Sequence, residues 1–108
     1  MVIDMRNGLM DTVEFAKALA DGTRQQIMAL CCCQQLSVSD IVNALNISQP
    51  TVSHHLAVLK RAGLVRSERR GKQVLYTLNR EQLVAGCCQV AEDFAPGYPL
   101  KLVVQRER

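Results

Sequence analysis

Ser48-Gln49-Pro50-Thr51-Val52-Ser53-His54-His55-Leu56 is the stretch on which the reading of this chain turns. A serine ahead of a helical run can accept a hydrogen bond from an unpaired backbone N–H of the first turn, and a proline in that turn costs nothing because its missing N–H would have had no partner. Val52, Leu56 and Leu59 then recur at the spacing of one buried helical face, which leaves Gln49, Thr51, Ser53 and His54 facing outward. Short or flexible hydrogen-bonding side chains on an exposed helix face can reach base edges and phosphates.

Working upstream, Ser37-Val38-Ser39-Asp40 offers a second helix start capped by Ser37, and Ile41, Val42, Ala44 and Leu45 supply its buried face. Asn46-Ile47-Ser48 makes a tight turn between the two helices. Two helices around such a turn form a helix-turn-helix, whose second helix enters the DNA major groove. Further upstream, Asp11 and Glu14 have capping-box spacing, and Val13, Phe15, Ala16, Leu19 and Ala20 predict a first helix over about 11–20. Asp21-Gly22-Thr23 breaks it, and Ile27, Leu30 and the cysteines carry a second helix to about residue 33.

Downstream, Gly63 ends the reading helix as a left-handed cap. Leu64–Arg69 and Gln73–Leu78 are β-prone runs joined by Arg70-Gly71-Lys72, where glycine supplies a positive φ. A last helix runs from about Arg80 to Phe94 and stops at Pro96-Gly97. The expected fold is mainly α with a small β-hairpin, a winged helix-turn-helix of order α-α-α-α-β-β-α. It divides into an N-terminal extension at 1–10, one domain at 11–95 and a tail at 96–108.

Composition agrees. A chain of 108 residues fits one domain, and 48% hydrophobic with 4% aromatic residues means a core of Leu, Val, Ile and Ala on helices. No apolar stretch approaches the roughly 20 residues of a membrane span, and the N-terminus lacks a basic-then-apolar signal pattern, so a soluble, cytoplasmic protein without a membrane partner is expected. The net charge of +3 is modest, but Lys60, Arg61, Arg66, Arg69, Arg70 and Lys72 cluster against the single acid Glu68. Lys60, Arg69, Arg70 and Lys72 are therefore candidate phosphate contacts beside the reading set Ser48, Gln49, Thr51, Ser53, His54 and His55.

Together Leu19-Ala20-Asp21-Gly22-Thr23-Arg24, Leu36-Ser37-Val38-Ser39-Asp40-Ile41, Ser48 through Leu56 and Gly63-Leu64-Val65 resemble the ArsR/SmtB family of bacterial metal- and stress-responsive repressors, over about residues 11–94. The resemblance implies a homodimer joined by the first and last helices, with the two reading helices in successive major grooves of an inverted-repeat operator, and repression until an inducer binds. Relatives that bind arsenic, cadmium or lead often carry cysteine in the third-helix segment, where Ser37 and Ser39 stand here. Zinc-sensing relatives use His and carboxylate ligands on the last helix, where this chain has Arg80 and Gln82. Neither of those metal sites is expected.

What remains is sulfur: Cys31, Cys32 and Cys33 in one run, Cys87 and Cys88 in another. Such clusters do not space out like a disulfide scaffold and read as thiols that are oxidised or that bind a soft ion such as trivalent arsenic. Neighbours on a regular helix point about 100° apart, so a vicinal pair could join only if the end of the second helix unwound. A second route bridges Cys87 or Cys88 to one of Cys31–Cys33. Cys31, which continues the Ile27 stripe, also reads as a small core residue. The expected function is an operator-binding repressor released by thiol oxidation. Its alternatives are release by trivalent arsenic or another thiophilic metal, and a constitutive DNA-binding protein. No cofactor is required, and the two histidines, both on the reading helix and without a phosphate loop or paired acids near them, argue against an enzyme.

Overall fold

The computed structural model describes residues 12–98; the extension at 1–10, Asp11 of the first helix start, and the tail from 99 onward lie outside the described residues. Five helices and a hairpin follow in order: α1 (Thr12–Leu19), α2 (Gly22–Cys31), α3 (Val38–Leu45), α4 (Gln49–Arg61), β1 (Val65–Arg70), β2 (Gln73–Leu78) and α5 (Arg80–Phe94). The order matches the α-α-α-α-β-β-α expectation, and the hairpin flanks a helix-turn-helix formed by α3 and α4.

Local chemistry fixes the boundaries. Ser37 caps α3 in a full capping box: its Oγ accepts from the Asp40 N–H at 3.1 Å while the Asp40 carboxylate accepts from the Ser37 N–H at 2.9 Å. Asn46 closes α3 in the left-handed region at φ 57°, a conformation asparagine tolerates, and its N–H reaches Val42 O at 2.8 Å. Asp21 caps α2, Ser48 caps α4 and Asn79 caps α5. In the hairpin Arg70 pairs with Gln73, so the turn has two central residues, and a positive φ at Gly71 alone is the type II′ pattern.

Three boundaries differ from expectation. α2 stops at Cys31 rather than near residue 33, because the chain must straighten to reach Leu36. Leu36 exchanges two backbone hydrogen bonds with Tyr76 of β2, at 3.1 and 2.7 Å. β1 begins at Val65 and includes Arg70, while Leu64 is fully buried ahead of it. Ala44, expected in the core, is exposed: α3 buries Ile41 completely and Val42 and Leu45 only in part.

The core draws on every element but α5, which packs the partly buried Leu83 and Val90 against it. Phe15 and Ala18 of α1, Ile27, Met28 and Cys31 of α2, Ile41 of α3, Val52, Leu56 and Leu59 of α4, and Leu64, Val65 and Leu78 around the hairpin form one cluster. α1 and α5 meet where Gly86 faces the Phe15 ring, and a Cβ at Gly86 would collide with that ring. Overpacking of this kind costs about 1–3 kcal/mol. Gly86→Ala is expected to lower stability by that amount in denaturant unfolding despite alanine's better helix propensity; a gain would contradict this packing.

Candidate nucleic-acid interface

α4 presents the two faces its sequence spacing requires. Val52, Leu56 and Leu59 are buried, and Ser48, Gln49, Thr51, Ser53 and His54 are exposed. Ser48 Oγ accepts from the Thr51 N–H at 3.3 Å and bonds the Thr51 hydroxyl at 2.8 Å, so these two side chains shape the helix start as well as its surface. His55 departs from the others: it is half-buried, with Nδ1 3.0 Å from Arg24 Nη1 of α2. Burial, first, and the Arg24 and His54 charges hold its ring below the ordinary histidine range, against an upward pull from Asp21.

The six cations of the 60–72 segment are not equivalent. Arg61 pairs with Glu14 at 3.4 Å, Arg66 with Glu81 at 3.2 Å, and Arg70 with Glu68 at 3.1 Å. Glu68 is further held by Gln35 at 3.0 Å, and its carboxyl is lowered chiefly by the Arg70 hydrogen bond. Lys60 donates to the Ser67 hydroxyl at 2.7 Å, which leans it toward the hairpin. Among the described residues, Lys60, Arg69 and Lys72 make no ion pair. The uncompensated positive charge is thus carried by Lys60, near the C-terminal end of α4 and bonded to the hairpin, and by Arg69 and Lys72 at the hairpin tip.

The first cysteine run is split by the end of α2. Cys31 is fully buried, and burial pushes its thiol up to about 11. Cys32 is the C-cap of α2 and keeps helical dihedrals, φ −64° and ψ −33°, while Cys33 follows it outside the helix; the main cause raising the Cys32 thiol is a hydrogen bond with Cys33. Arg80, the first residue of α5, donates to the Cys32 carbonyl at 3.1 Å and approaches Cys33 Sγ at 3.9 Å. An open cleft of about 350 Å³ runs here, lined by Cys32, Cys33, Gln35, Arg66, Arg80 and Glu81 among others. Cys87 and Cys88 are exposed on α5, with Cys87 raised by partial desolvation and then by Cys88. Among the described residues all five cysteines are free, and no three His, Cys, Asp or Glu side chains converge as a metal site would need. Sequence reasoning missed the roles of Arg24 and Arg80, whose partners are distant in sequence.

Residues 21–67 match the family described as bacterial regulatory proteins of the arsR family. The transcriptional repressor SdpR of Bacillus subtilis is 40% identical over 63 residues, 58% of this chain and 70% of SdpR. The transcriptional activator HlyU of Vibrio cholerae is 34% identical over 82 residues, 76% of each chain. Its solved structure superposes with a TM-score of 0.63 at 33% identity, covering 76% of this chain and 89% of that one. The homodimeric winged helix-turn-helix domain of Mb0332 from Mycobacterium bovis gives 0.64 at 30% identity, covering 77% and 79%.

The contrast among the thiols is directly measurable. Alkylation of the native, reduced protein at pH 8 is expected to label exposed Cys33 and to spare Cys31 until the chain is unfolded, read by peptide mass spectrometry. Equal labelling of both would contradict the burial of Cys31.

Proposed function

Because this chain belongs to the arsR family of bacterial regulatory proteins, and is thus a DNA-binding transcriptional regulator, we propose that it represses as a homodimer on an inverted-repeat operator and lets go when its thiols are oxidised. The observation that supports the DNA reading is the exposed polar face of α4 on a buried aliphatic anchor, in a domain that also exposes the cations Lys60, Arg69 and Lys72 without an acid partner among the described residues. Gln49, Thr51, Ser53 and His54 read base edges, Ser48 fixes the helix start against a phosphate, and Lys60, Arg69, Arg70 and Lys72 neutralise the flanking backbone. Arg70 does so only by leaving Glu68.

The dimer reading draws on an apolar surface carried by two helices that pack together. Val13 of α1 is 58% exposed, and Val84 and Phe94 of α5 are 53% and 81% exposed. Burying large side chains of this kind against a second copy is favourable at about 25 cal/mol per Å². That the related domain of Mb0332 is homodimeric supports a dimer of this chain.

For the switch, Cys32 and Cys33 are favoured over Cys31. They sit where the end of α2, the start of α5 and the Leu36–Tyr76 bridge to the hairpin come together. One peroxide takes two electrons and two protons from the two thiols, giving one S–S bond and two waters. Adjacent Cα atoms are about 3.8 Å apart, whereas disulfides span about 4.4–6.8 Å, so the bond strains the turn that feeds α3. Trivalent arsenic held by the same two thiolates would load the same turn. Cys87 and Cys88 on α5 offer the alternative route, in which a bond to the first cluster ties α5 to α2.

A duplex selected from a random-sequence pool by the reduced protein is the probe. Its binding is expected to weaken after peroxide, and the loss should vanish in Cys32→Ser but survive in a Cys87→Ser/Cys88→Ser double variant. The opposite pattern moves the switch to α5, arsenite acting where peroxide does not makes the protein an arsenic sensor, and no loss with either leaves a constitutive DNA-binding protein. Arg69→Ala is expected to weaken binding to all sequences and flatten the salt dependence by about one unit of slope. A change confined to sequence preference would overturn the hairpin's assignment.

A further inference from the structure

Arg24 ties three helices together. Its Nε donates to Ala18 O at 2.8 Å and its Nη2 to Lys17 O at 3.0 Å, both at the end of α1. Its own N–H donates to the α2 cap, Asp21 Oδ1, at 2.9 Å. Its Nη1 stands 3.0 Å from Nδ1 of His55, in the middle of α4. Both carbonyls belong to the last turn of α1, where acceptors lose their ordinary helical donors; Lys17 O also accepts from the Ala20 N–H at 3.2 Å. The guanidinium thus closes the end of α1 and gives a third donor, of its five, to the reading helix.

That last contact fixes a proton. A guanidinium carries donors and no acceptor, so the Nδ1 that meets it must present its lone pair. His55 in this contact is neutral, with its proton on Nε2. We infer that the Arg24–His55 hydrogen bond is a strut that sets the seat of α4 against α1 and α2, that only neutral His55 can form it, and that operator binding is therefore acid-sensitive. Arg24 and His55 are positioning residues in this role: neither need touch a base.

The charged groups facing the ring are few. α2 supplies Arg24 and, from its cap, Asp21; α4 supplies His54, whose ring centroid is 5.5 Å away; α1 brings the backbone carbonyls of Lys17 and Ala18 to the same guanidinium. Protonating Nδ1 replaces the acceptor by a donor and sets a second cation 3.0 Å from Nη1. The ring is held below its ordinary 6.5, so the strut is intact at neutral pH and is lost as pH falls through the lowered value. The native state binds fewer protons here than the unfolded chain, so its stability too falls as pH drops below 6.5.

Two measurements on the full chain test the strut. In the DNA-free protein at pH 7.5, long-range proton–nitrogen correlation of the His55 ring is expected to find Nδ1 unprotonated and Nε2 protonated; an Nδ1–H ring overturns the proposal. The second is the ratio of affinities at pH 7.5 and 5.5 for the selected duplex, compared between wild type and His55→Asn. Asparagine offers an acceptor oxygen near the place of Nδ1 and cannot be protonated in this range, while both proteins retain His54. One proton taken up by a ring held below 6.5 can weaken binding at pH 5.5 by at most about tenfold, so the wild-type ratio is expected to exceed the variant's severalfold. Equal ratios overturn the acid sensitivity. If His55→Asn does not fold, the ring measurement on the wild type still decides the strut, and it does so whether or not the chain binds DNA.

Discussion

Val52, Leu56 and Leu59 enter the cluster built by Ile27, Cys31 and Ile41, all of them buried, and the rest of the molecule depends on that insertion. A chain with two phenylalanines, two tyrosines and no tryptophan has few large side chains with which to fill a core, so nearly every element must contribute to the same one. The consequence is mechanical. α4 has its inner face locked by aliphatic packing, and its outer face is therefore held rigidly toward solvent, as a reading helix needs to be.

Polar contacts then orient what the core holds. The capping box at Ser37 and the left-handed Asn46 set the turn between α3 and α4, and Arg24 fastens α4 to the end of α1. The hairpin is tied in twice, by Val65 and Leu78 in the core and by the Leu36–Tyr76 bridge. That bridge makes the segment after Cys33 part of the hairpin's support. A chemical change at Cys32–Cys33 is accordingly not remote from the DNA-facing surface: one short segment separates it from α3, and Arg80 joins it to α5.

Features encoded within a few residues were legible beforehand. Ser37 and Ser48 as caps, the buried stripe of α4, the glycine of the hairpin turn and the span of α5 all follow from neighbours in sequence. What escaped was set by partners far along the chain. α2 stops at Cys31 because of Tyr76, which no local pattern announces. Ala44 sits at a plausible helical spacing but on the side of α3 that nothing covers. The cations of the 60–72 segment looked alike, yet Glu14 and Glu81, on two other helices, compensate two of them. His55 shared the polar character of its neighbours, and only the three-dimensional position of Arg24 sets it apart.

The central claim is that two copies of α4 enter the major groove while the hairpins flank it. Chemical footprinting on the selected duplex tests this most directly, combining guanine N7 methylation interference with hydroxyl-radical cleavage. The expected result is two symmetric zones of major-groove interference about 10 base pairs apart centre to centre, as for dimeric helix-turn-helix proteins, each bordered by backbone protection. A single zone, or protection confined to the minor groove without N7 interference, would contradict it.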